Sequence, residues 1–173
     1  MKHLKRLCTL LLGTITIVCM SSCAGYQVGN VKPSEMQTVS SIAIPIATND
    51  TQEQRLASLM TNSVVDAITR DGTYAVKNED RADASLVINI KRVRYSVRRN
   101  DRFDSLRASE MYMHLRVEWE VVDNQNQVLA QGSDEGRTQF AIEENQQTSR
   151  SNAFPLAAEA TAILIVQRIA NGF

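Results

Sequence analysis

Basic side chains crowd a short stretch in the middle of the chain, and their spacing could serve anion binding. Arg92, Arg94 and Arg98 alternate with apolar residues, so on an extended strand the three guanidinium groups project from one face. Each guanidinium can bind a phosphate or a carboxylate through two parallel hydrogen bonds. The pattern therefore predicts an anion-binding surface, which we call the basic strip. It comprises Arg92, Arg94, Arg98 and Arg99, with Lys91 and Arg102 beside it.

The same stretch has a second interpretation as an ion-paired sheet face. Glu110, Glu118 and Glu120 lie on the next predicted strand, close enough in a hairpin to neutralise part of the positive charge. The whole chain is balanced, with 19 Lys and Arg against 19 Asp and Glu, so its net charge does not indicate a nucleic-acid partner. The sequence leaves both interpretations open. If the strip binds a ligand, the phosphorylated head of a glycolipid or an acidic protein surface is favoured.

Catalysis has little support in the sequence. Removal of the N-terminal segment described below would leave one histidine, His114, placed mid-strand among Glu and Arg residues, where such a side chain is usually solvated or packed. There is neither a G-x-S-x-G motif nor a Walker-type glycine loop. The acid pairs at 134–135 and 143–144 could hold a hard cation, but such pairs are more typical of solvated turns. The sequence therefore predicts a non-enzymatic protein that binds no metal and no cofactor.

The N-terminus has the three parts of a bacterial lipoprotein signal. A basic start is followed by an apolar run from Leu7 to Val18, which is shorter than the roughly 20 residues that a transmembrane helix needs. The segment "MSSC" that follows resembles the lipobox, with Met20 in place of the usual leucine. We therefore predict a signal peptide at 1–22 and attachment of an N-acyl diacylglycerol to Cys23. The alternative is an ordinary secreted protein in which Cys23 carries no lipid.

Lipidation would place the mature protein on a membrane. Cleavage would remove the other cysteines and leave Cys23 without a partner for an intramolecular disulfide. Two or more acyl chains supply stable membrane affinity. Ala24, rather than aspartate, follows the cysteine, which is compatible with export to the outer membrane. We therefore expect 23–37 to form a lipidated tether and 38–173 to form one domain at the periplasmic face of the outer membrane.

Hydrophobic periodicity predicts a two-layer α+β domain. The order strand, helix, strands, helix fits an antiparallel or mixed sheet of about four to five strands with two helices packed on one face, an α/β sandwich. A transmembrane segment is the alternative for the last helix, although Glu159 and Arg168 interrupt its apolar run. The predicted strands cover 38–47, 73–78, 82–99, 110–123 and 128–142, and the predicted helices cover about 51–72 and 151–170.

Local signals predict the ends and irregularities of these elements. In the long strand, the apolar residues change from even to odd positions at Lys91–Arg92, which predicts a β-bulge there. Thr51 and Gln54 resemble a helix capping box, and Gly72 is placed to end that helix. For the remaining elements we expect Pro155 in the first turn of the last helix, Gly172 at its end, and bulges or twists at Gly132 and Gly136.

Segments along the mature chain resemble the lipopolysaccharide-assembly lipoproteins, the LptE-like family. "CAGYQVG" resembles the lipidated cysteine and Gly-Tyr/Phe that open those chains, and "SIAIPIATNDT" resembles their first strand. "RADASLVINI" resembles their entry into the next long strand, and "AAEATAILIVQRI" resembles their closing helix. The shared order of these segments gives the resemblance its weight, and it covers most of the mature sequence.

The resemblance implies a function as well as a fold. It implies a compact α/β sandwich, anchored in the outer membrane, that partners and plugs the large β-barrel translocon for lipopolysaccharide, an LptD-like protein. It also implies direct binding of lipopolysaccharide, for which the basic strip is the candidate phosphate contact. The alternative function is a lipoprotein that docks on and activates a periplasmic cell-wall synthesis enzyme.

Overall fold

The computed structural model describes residues 32–103 and 108–172. The predicted signal peptide and Cys23 lie outside the described residues, so both assignments remain predictions. The described chain forms strands β1 (Ser41–Ala43), β2 (Thr48–Asn49), β3 (Ala75–Val76), β4 (Ala84–Asn100), β5 (Ala108–Asp123) and β6 (Val128–Ala141), and helices α1 (Leu56–Asp71) and α2 (Gln146–Asn171). Single turns of 3-10 helix lie at Ser34–Met36 and Glu79–Arg81.

The strands form one mixed sheet in the order β3–β1–β4–β5–β6, with β2 also paired to β4. β1 runs parallel to β3 and β4, and β2 runs parallel to β4. β4, β5 and β6 form an antiparallel meander. The sheet therefore has six strands within the described chain, rather than the predicted four to five.

Pro45 explains part of this difference, because it divides the strand predicted over 38–47. Proline has no N–H to donate to a ladder, and Pro45 lies between β1 and β2. Ile42 in β1 is fully buried, whereas Ile46, after the proline, is 77% exposed. Alternate residues of a continuous strand share one face, so this difference in exposure shows that the strand predicted over 38–47 does not continue past Pro45.

One hydrophobic core lies between the sheet and the two helices. Inward residues of β4 and β5 pair directly, as in Leu86 with Val121 and Ile88 with Trp119. The buried stripe of α1 has the i, i+3, i+4 spacing expected of an amphipathic helix. The predicted two-layer arrangement is confirmed. The main helical core residues are Leu56, Met60, Val64, Ala67 and Ile68 in α1, and Phe154, Ala157, Ala158, Ala162, Ile165 and Ile169 in α2.

A β-bulge interrupts β4 where the sequence predicted it. The pairing register shifts at Lys91, which is an extra residue opposite the step from Val117 to Arg116 on β5. Before the bulge the even-numbered residues of β4 face the helices, and from Val93 to Val97 the odd-numbered residues do. A second register shift between Val97 and Arg99 then places Arg99 opposite Glu110 on the polar face. The bulge at Lys91 therefore brings Arg92 and Arg94 onto the face of the sheet opposite α1 and α2.

The ends of α1 show one correct and one wrong prediction. Gly72 ends the helix with a φ of 77°, which glycine adopts without strain. The predicted capping box of Thr51 and Gln54 is not formed. The Asn49 side chain engages Thr51 instead, through a hydrogen bond of 2.7 Å from Thr51 Oγ1 to Asn49 Oδ1, and the helix begins only at Leu56.

Helix α2 begins earlier than predicted. Asn145 caps it, because Asn145 Oδ1 accepts hydrogen bonds from the backbone N–H groups of Gln147 (3.0 Å) and Thr148 (3.2 Å). Pro155 consequently lies inside the helix rather than in its first turn, and Gly172 ends the helix as predicted. Among the described residues, α2 is the one helix long and apolar enough to cross a bilayer. Its inner face is buried in the core, which favours the predicted core helix over the transmembrane alternative.

Gly132 and Gly136 allow close packing, and neither forms a bulge. The pairing of β5 with β6 stays in register through both glycines. A Cβ at Gly136 would overlap the Thr161 hydroxyl and lie 2.5 Å from the Thr161 backbone nitrogen, and a Cβ at Gly132 would lie 2.6 Å from the Trp119 ring. Gly136 therefore lets α2 approach β6 closely, and Gly132 makes room for the indole.

The last part of the predicted tether packs with the domain. Met36 is fully buried. Lys32 Nζ donates a hydrogen bond of 2.7 Å to Val39 O and lies 4.6 Å from the centroid of the Tyr74 ring, a cation–π contact. Lys32 and Met36 thus contact the domain that follows them.

Candidate functional site

The face of β4, β5 and β6 opposite α1 and α2 carries the basic strip. Its side chains form rows across the three strands, because directly paired residues project from the same face. Two adjacent rows, which we call the charged centre, are Arg92–Arg116–Glu135 and Arg94–His114–Arg137. Towards the β4–β5 turn they are followed by Ser96–Tyr112–Gln139 and Arg99–Glu110–Ala141.

Arg92 and Arg116 form an uncompensated pair of like charges. They lie directly opposite each other on β4 and β5, and both residues are exposed. Neither forms an ion pair with any residue that the structure describes. Like charges in directly opposite positions destabilise a sheet, on the order of 0.2–1 kcal/mol. An external anion would neutralise this pair.

Glu135 supplies the carboxylate of the charged centre. Its Oε1 lies 3.1 Å from His114 Nδ1 and 3.6 Å from Arg94 Nη2. It is also the direct neighbour of Arg116 across β5 and β6. Because this carboxylate is shared among several basic side chains, positive charge remains at the centre.

Arg98 and Arg99 are compensated, unlike Arg92. Both contact Glu110: Arg98 Nη1 donates to Glu110 Oε2, and Arg99 Nη1 lies 3.6 Å from Glu110 Oε1. Arg98 Nε also donates to the Tyr112 hydroxyl at 3.1 Å, and its hydrogen bonds to Tyr112 and Glu110 raise the pKa of Arg98. The structure thus brings the predicted strip onto one face but divides it into an open inner part and an ion-paired outer part.

The ion-paired interpretation therefore holds for part of this face. Glu110 neutralises the outer part as predicted. Glu118 Oε2 lies 4.0 Å from Lys91 Nζ, which also bonds to Asp50 at 2.5 Å. This hydrogen bond raises the pKa of Lys91 and lowers that of Asp50. Glu120 forms no ion pair within the described ranges, so the acids named from the sequence leave the charged centre open.

Arg116, Glu135 and Arg137 belong to the site although sequence reasoning did not select them. Arg137 lies 4.5 Å from the centroid of the Tyr112 ring and adds a cation to the second row. Alternation along β5 already indicated that Arg116 is on the polar face. The missing information was the register between β5 and β6, which places Glu135 and Arg137 beside residues that are distant in sequence.

Ser96, His114 and Glu135 are arranged like a nucleophile, a base and an orienting carboxylate. Ser96 Oγ lies 3.0 Å from His114 Nε2, and His114 Nδ1 lies 3.1 Å from Glu135 Oε1. Acyl transfer also needs N–H donors aimed at the developing oxyanion. Strand N–H groups lie in the plane of the sheet, whereas the Ser96 side chain projects out of it. The arrangement orients His114 without completing an acyl-transfer site.

The acid pair at 134–135 is not a solvated turn. Asp134 is buried on the helix side of β6, where its carboxylate accepts hydrogen bonds from Trp119 Nε1 (2.7 Å) and Arg168 Nη2 (2.8 Å). Glu135, its neighbour in sequence, points to the opposite face, so the two carboxylates cannot share a cation. Within 32–103 and 108–172 there is no group of three or more His, Cys, Asp or Glu side chains that could hold a metal ion.

An acidic groove adjoins the charged centre on the side of the β4 start. It has a volume of about 580 Å³ and is lined by Glu118 and Glu120 together with Asn89, Gln131 and Ser133, among others. In the described part of the chain, the groove thus places negative charge beside the charged centre.

Comparisons with known proteins give a family and a fold. The profile of the family described as "LptE: Lipopolysaccharide-assembly" matches residues 39–171, most of the chain. The structure of protein XCC0632 from Xanthomonas campestris is similar at a TM-score of 0.54 and 16% identity, covering 83% of this chain and 90% of that one. A PelC dodecamer from Paraburkholderia phytofirmans is similar at a TM-score of 0.52 and 11% identity, covering 84% of this chain and 97% of that one. At such identities these two structures show the fold alone. Comparison with curated protein sequences gave no match.

Proposed function

The chain belongs to the LptE family of lipopolysaccharide-assembly proteins, and we propose that it is an outer-membrane lipoprotein that partners the β-barrel lipopolysaccharide translocon, an LptD-like protein. In this proposal the lipid on Cys23 holds the domain at the periplasmic face, and the charged centre contacts phosphate groups of lipopolysaccharide. Family membership supports the role in assembly. The observation that carries the phosphate contact is the uncompensated pair of Arg92 and Arg116 on an open sheet face.

The geometry of the charged centre suits a phosphate group. Arg92 and Arg94 are two residues apart on β4, or about 6–7 Å at about 3.3 Å per residue, and Arg116 lies opposite Arg92. Long guanidinium side chains at this spacing can converge on one anion. Charge-assisted, bidentate hydrogen bonds of this kind are among the strongest polar contacts that proteins make.

The charged centre also lies away from the point where the chain enters the domain. Lys32, the first described residue, contacts Val39 and Tyr74, near the start of β4. Arg92 lies eight residues beyond Ala84, which corresponds to about 26 Å along the strand. The charged centre therefore lies about 26 Å along β4 from the end of the strand near Lys32.

Charge reversal tests the phosphate contact. The variant carrying Arg92→Glu, Arg94→Glu and Arg116→Glu should bind fluorescent lipopolysaccharide at least about tenfold more weakly than the wild-type chain, because three guanidinium donors are replaced by carboxylates. Binding is measured on full-length protein in mild detergent, with circular dichroism to verify folding.

The matched control reverses three exposed arginines elsewhere, by the substitutions Arg55→Glu, Arg70→Glu and Arg81→Glu. It changes the net charge equally and should alter binding by no more than about twofold, since charges beyond a Debye length are largely screened. Unchanged binding by a folded charged-centre variant would refute the phosphate contact.

Native purification tests the translocon partnership. The tagged full-length protein is isolated from its own envelope in mild detergent, and the proteins that accompany it are identified by mass spectrometry. The proposal predicts a large outer-membrane β-barrel in near-equal amount. Recovery of a cell-wall synthesis enzyme instead, or of no stoichiometric partner, would contradict it.

A further inference from the structure

We propose that the Glu135 carboxylate is the resident anion of the charged centre, and that a ligand phosphate displaces it from Arg94 and His114. This inference rests on the proposed lipopolysaccharide contact. It goes further by assigning to Glu135, a residue that contacts no ligand itself, control over how strongly the centre binds anions.

The contacts of Glu135 are weak enough to be exchanged. Its carboxylate lies 3.6 Å from Arg94 Nη2, and the Arg94 side chain is 53% exposed. Exposed ion pairs with this geometry contribute little net stability. The second contact, 3.1 Å from His114 Nδ1, can equally be made by a phosphate oxygen, since a ring N–H donates to either acceptor.

Glu110, the other carboxylate among these arginines, is held much more firmly. Arg98 and Arg99 both contact it, and Gln139 Nε2 donates to its Oε2 at 3.1 Å. Its side chain is 22% exposed, against 30% for Glu135. Of the two carboxylates, Glu135 is therefore the one that an incoming anion can replace.

Binding of an anion between Arg92 and Arg116 would itself drive the exchange. Glu135 is the direct cross-strand neighbour of Arg116, so a phosphate held by Arg116 would repel the Glu135 carboxylate at close range. No described element covers this face of β6, so the side chain can rotate into solvent. Arg94 and His114 then become available to the phosphate. When no phosphate is bound, Glu135 stabilises the charged centre, because it offsets part of the repulsion among the basic side chains.

The test compares Glu135→Gln with Glu118→Gln in the full-length protein. Both substitutions remove one negative charge from the same face, but Glu118 contacts Lys91 rather than the charged centre. Glu135→Gln should increase the affinity for fluorescent lipopolysaccharide by about tenfold, since it removes the competing ion pair with Arg94 and leaves His114 only a weaker, neutral acceptor. Glu118→Gln should change the affinity by no more than about twofold, because the ion-pair partner of Glu118 is Lys91, at 4.0 Å, and not a residue of the charged centre.

A double-mutant cycle with Arg94→Gln shows whether the gain arises at the proposed contact. In the Arg94→Gln background most of the gain from Glu135→Gln should disappear, because the guanidinium that it frees is absent. Glu135→Ser serves as a second variant if Glu135→Gln does not fold. Equal effects of the substitutions at 135 and 118, in a wild-type chain that binds, would overturn this inference alone. No lipopolysaccharide binding by the wild-type chain would overturn the proposed phosphate contact, and this inference with it.

Discussion

The two halves of β4 differ in what they contribute to the protein. From Ala84 to Ile90, the inward side chains are buried beneath the helices. From Arg92 to Asn100, burial on the inward side decreases, and Val97 is 57% exposed. One strand thus stabilises the core at its start and presents positive charge at its end.

This difference teaches how an unfavourable charge arrangement can persist in a stable sheet. Apolar burial supplies most of the stability of a domain, and here it is concentrated in the first half of β4. The second half can therefore keep Arg92 and Arg116 opposite each other at a modest energetic cost. The bulge at Lys91 separates the two halves.

Deletions of single residues in β4 should have the largest effect on folding, and they test whether the two halves of the strand differ. Deletion of Val87 moves the residues on one side of it to the opposite face, so large apolar side chains leave the core at about 2–5 kcal/mol each. We expect no folded domain. Deletion of Lys91 removes the bulge but keeps Ile90 and Val93 on the same face, so this variant should fold. Circular dichroism and thermal unfolding measure both outcomes, and a stably folded Val87 deletion would refute the assigned core face.

Truncation of one side chain in each half gives the next largest effect. Ile88→Ala should lower the free energy of unfolding by about 2–5 kcal/mol, because the isoleucine is buried opposite Trp119 and the truncation leaves a cavity. Val97→Ala, at an exposed position, should change it by less than about 0.5 kcal/mol. Urea denaturation compares the two variants. Similar losses would mean that the second half of β4 contributes as much to the core as the first.

Asp134 contrasts with the exposed residues of the charged centre, because it is buried and its carboxylate accepts structural hydrogen bonds. Asp134→Ala should lower the free energy of unfolding by about 1–3 kcal/mol, since Trp119 Nε1 and the Arg168 guanidinium lose their acceptor. Glu159→Gln is the surface control. It breaks the exposed pair of Arg70 and Glu159, at 3.3 Å, and should cost about 0–1 kcal/mol. The free energy of unfolding of both variants is measured by urea denaturation, followed by tryptophan fluorescence. Equally small losses of stability in the two variants would contradict the structural role of Asp134.

The smallest effect should have the opposite sign. Arg92→Gln removes the like-charge contact with Arg116 but leaves the pairing of Arg116 with Glu135, so it should raise the free energy of unfolding by about 0.2–1 kcal/mol while weakening lipopolysaccharide binding. Arg137→Gln, the matched control, loses the cation–π contact with Tyr112 and should lower stability by about 0.5–1 kcal/mol. Thermal unfolding at low salt resolves the two signs. A destabilised Arg92→Gln variant would show that the arginine pair is structural.

Features set by neighbouring residues could be predicted from the sequence. The bulge at Lys91 follows from a change of parity within one strand, and the helix ends at Gly72 and Gly172 follow from the conformational freedom of glycine. The predicted start of α2 was wrong because two local signals, a possible cap at Asn145 and the proline at 155, indicate different first turns. The cap at Asn145 starts the helix earlier than expected and places Pro155 inside it.

Features set by contacts between distant segments could not be predicted. The sequence indicated the arginines of β4 and the polar alternation of β5. It did not indicate which residue of β6 pairs with Arg116, and that pairing decides that Glu135 lies at the charged centre. At Gly136 the sequence likewise predicts a bulge or a twist. It does not indicate the close approach to Thr161, because that approach depends on how α2 packs on the sheet.

The dependence of binding on phosphate tests the central claim most directly. Full-length wild-type protein in mild detergent is titrated against fluorescent lipopolysaccharide and against the same material after enzymatic removal of its phosphate groups. If guanidinium groups at Arg92, Arg94 and Arg116 recognise phosphate, the dephosphorylated form should bind at least about tenfold more weakly, a difference of about 1.4 kcal/mol. Equal affinity for the two forms would contradict the claim that this face recognises phosphate.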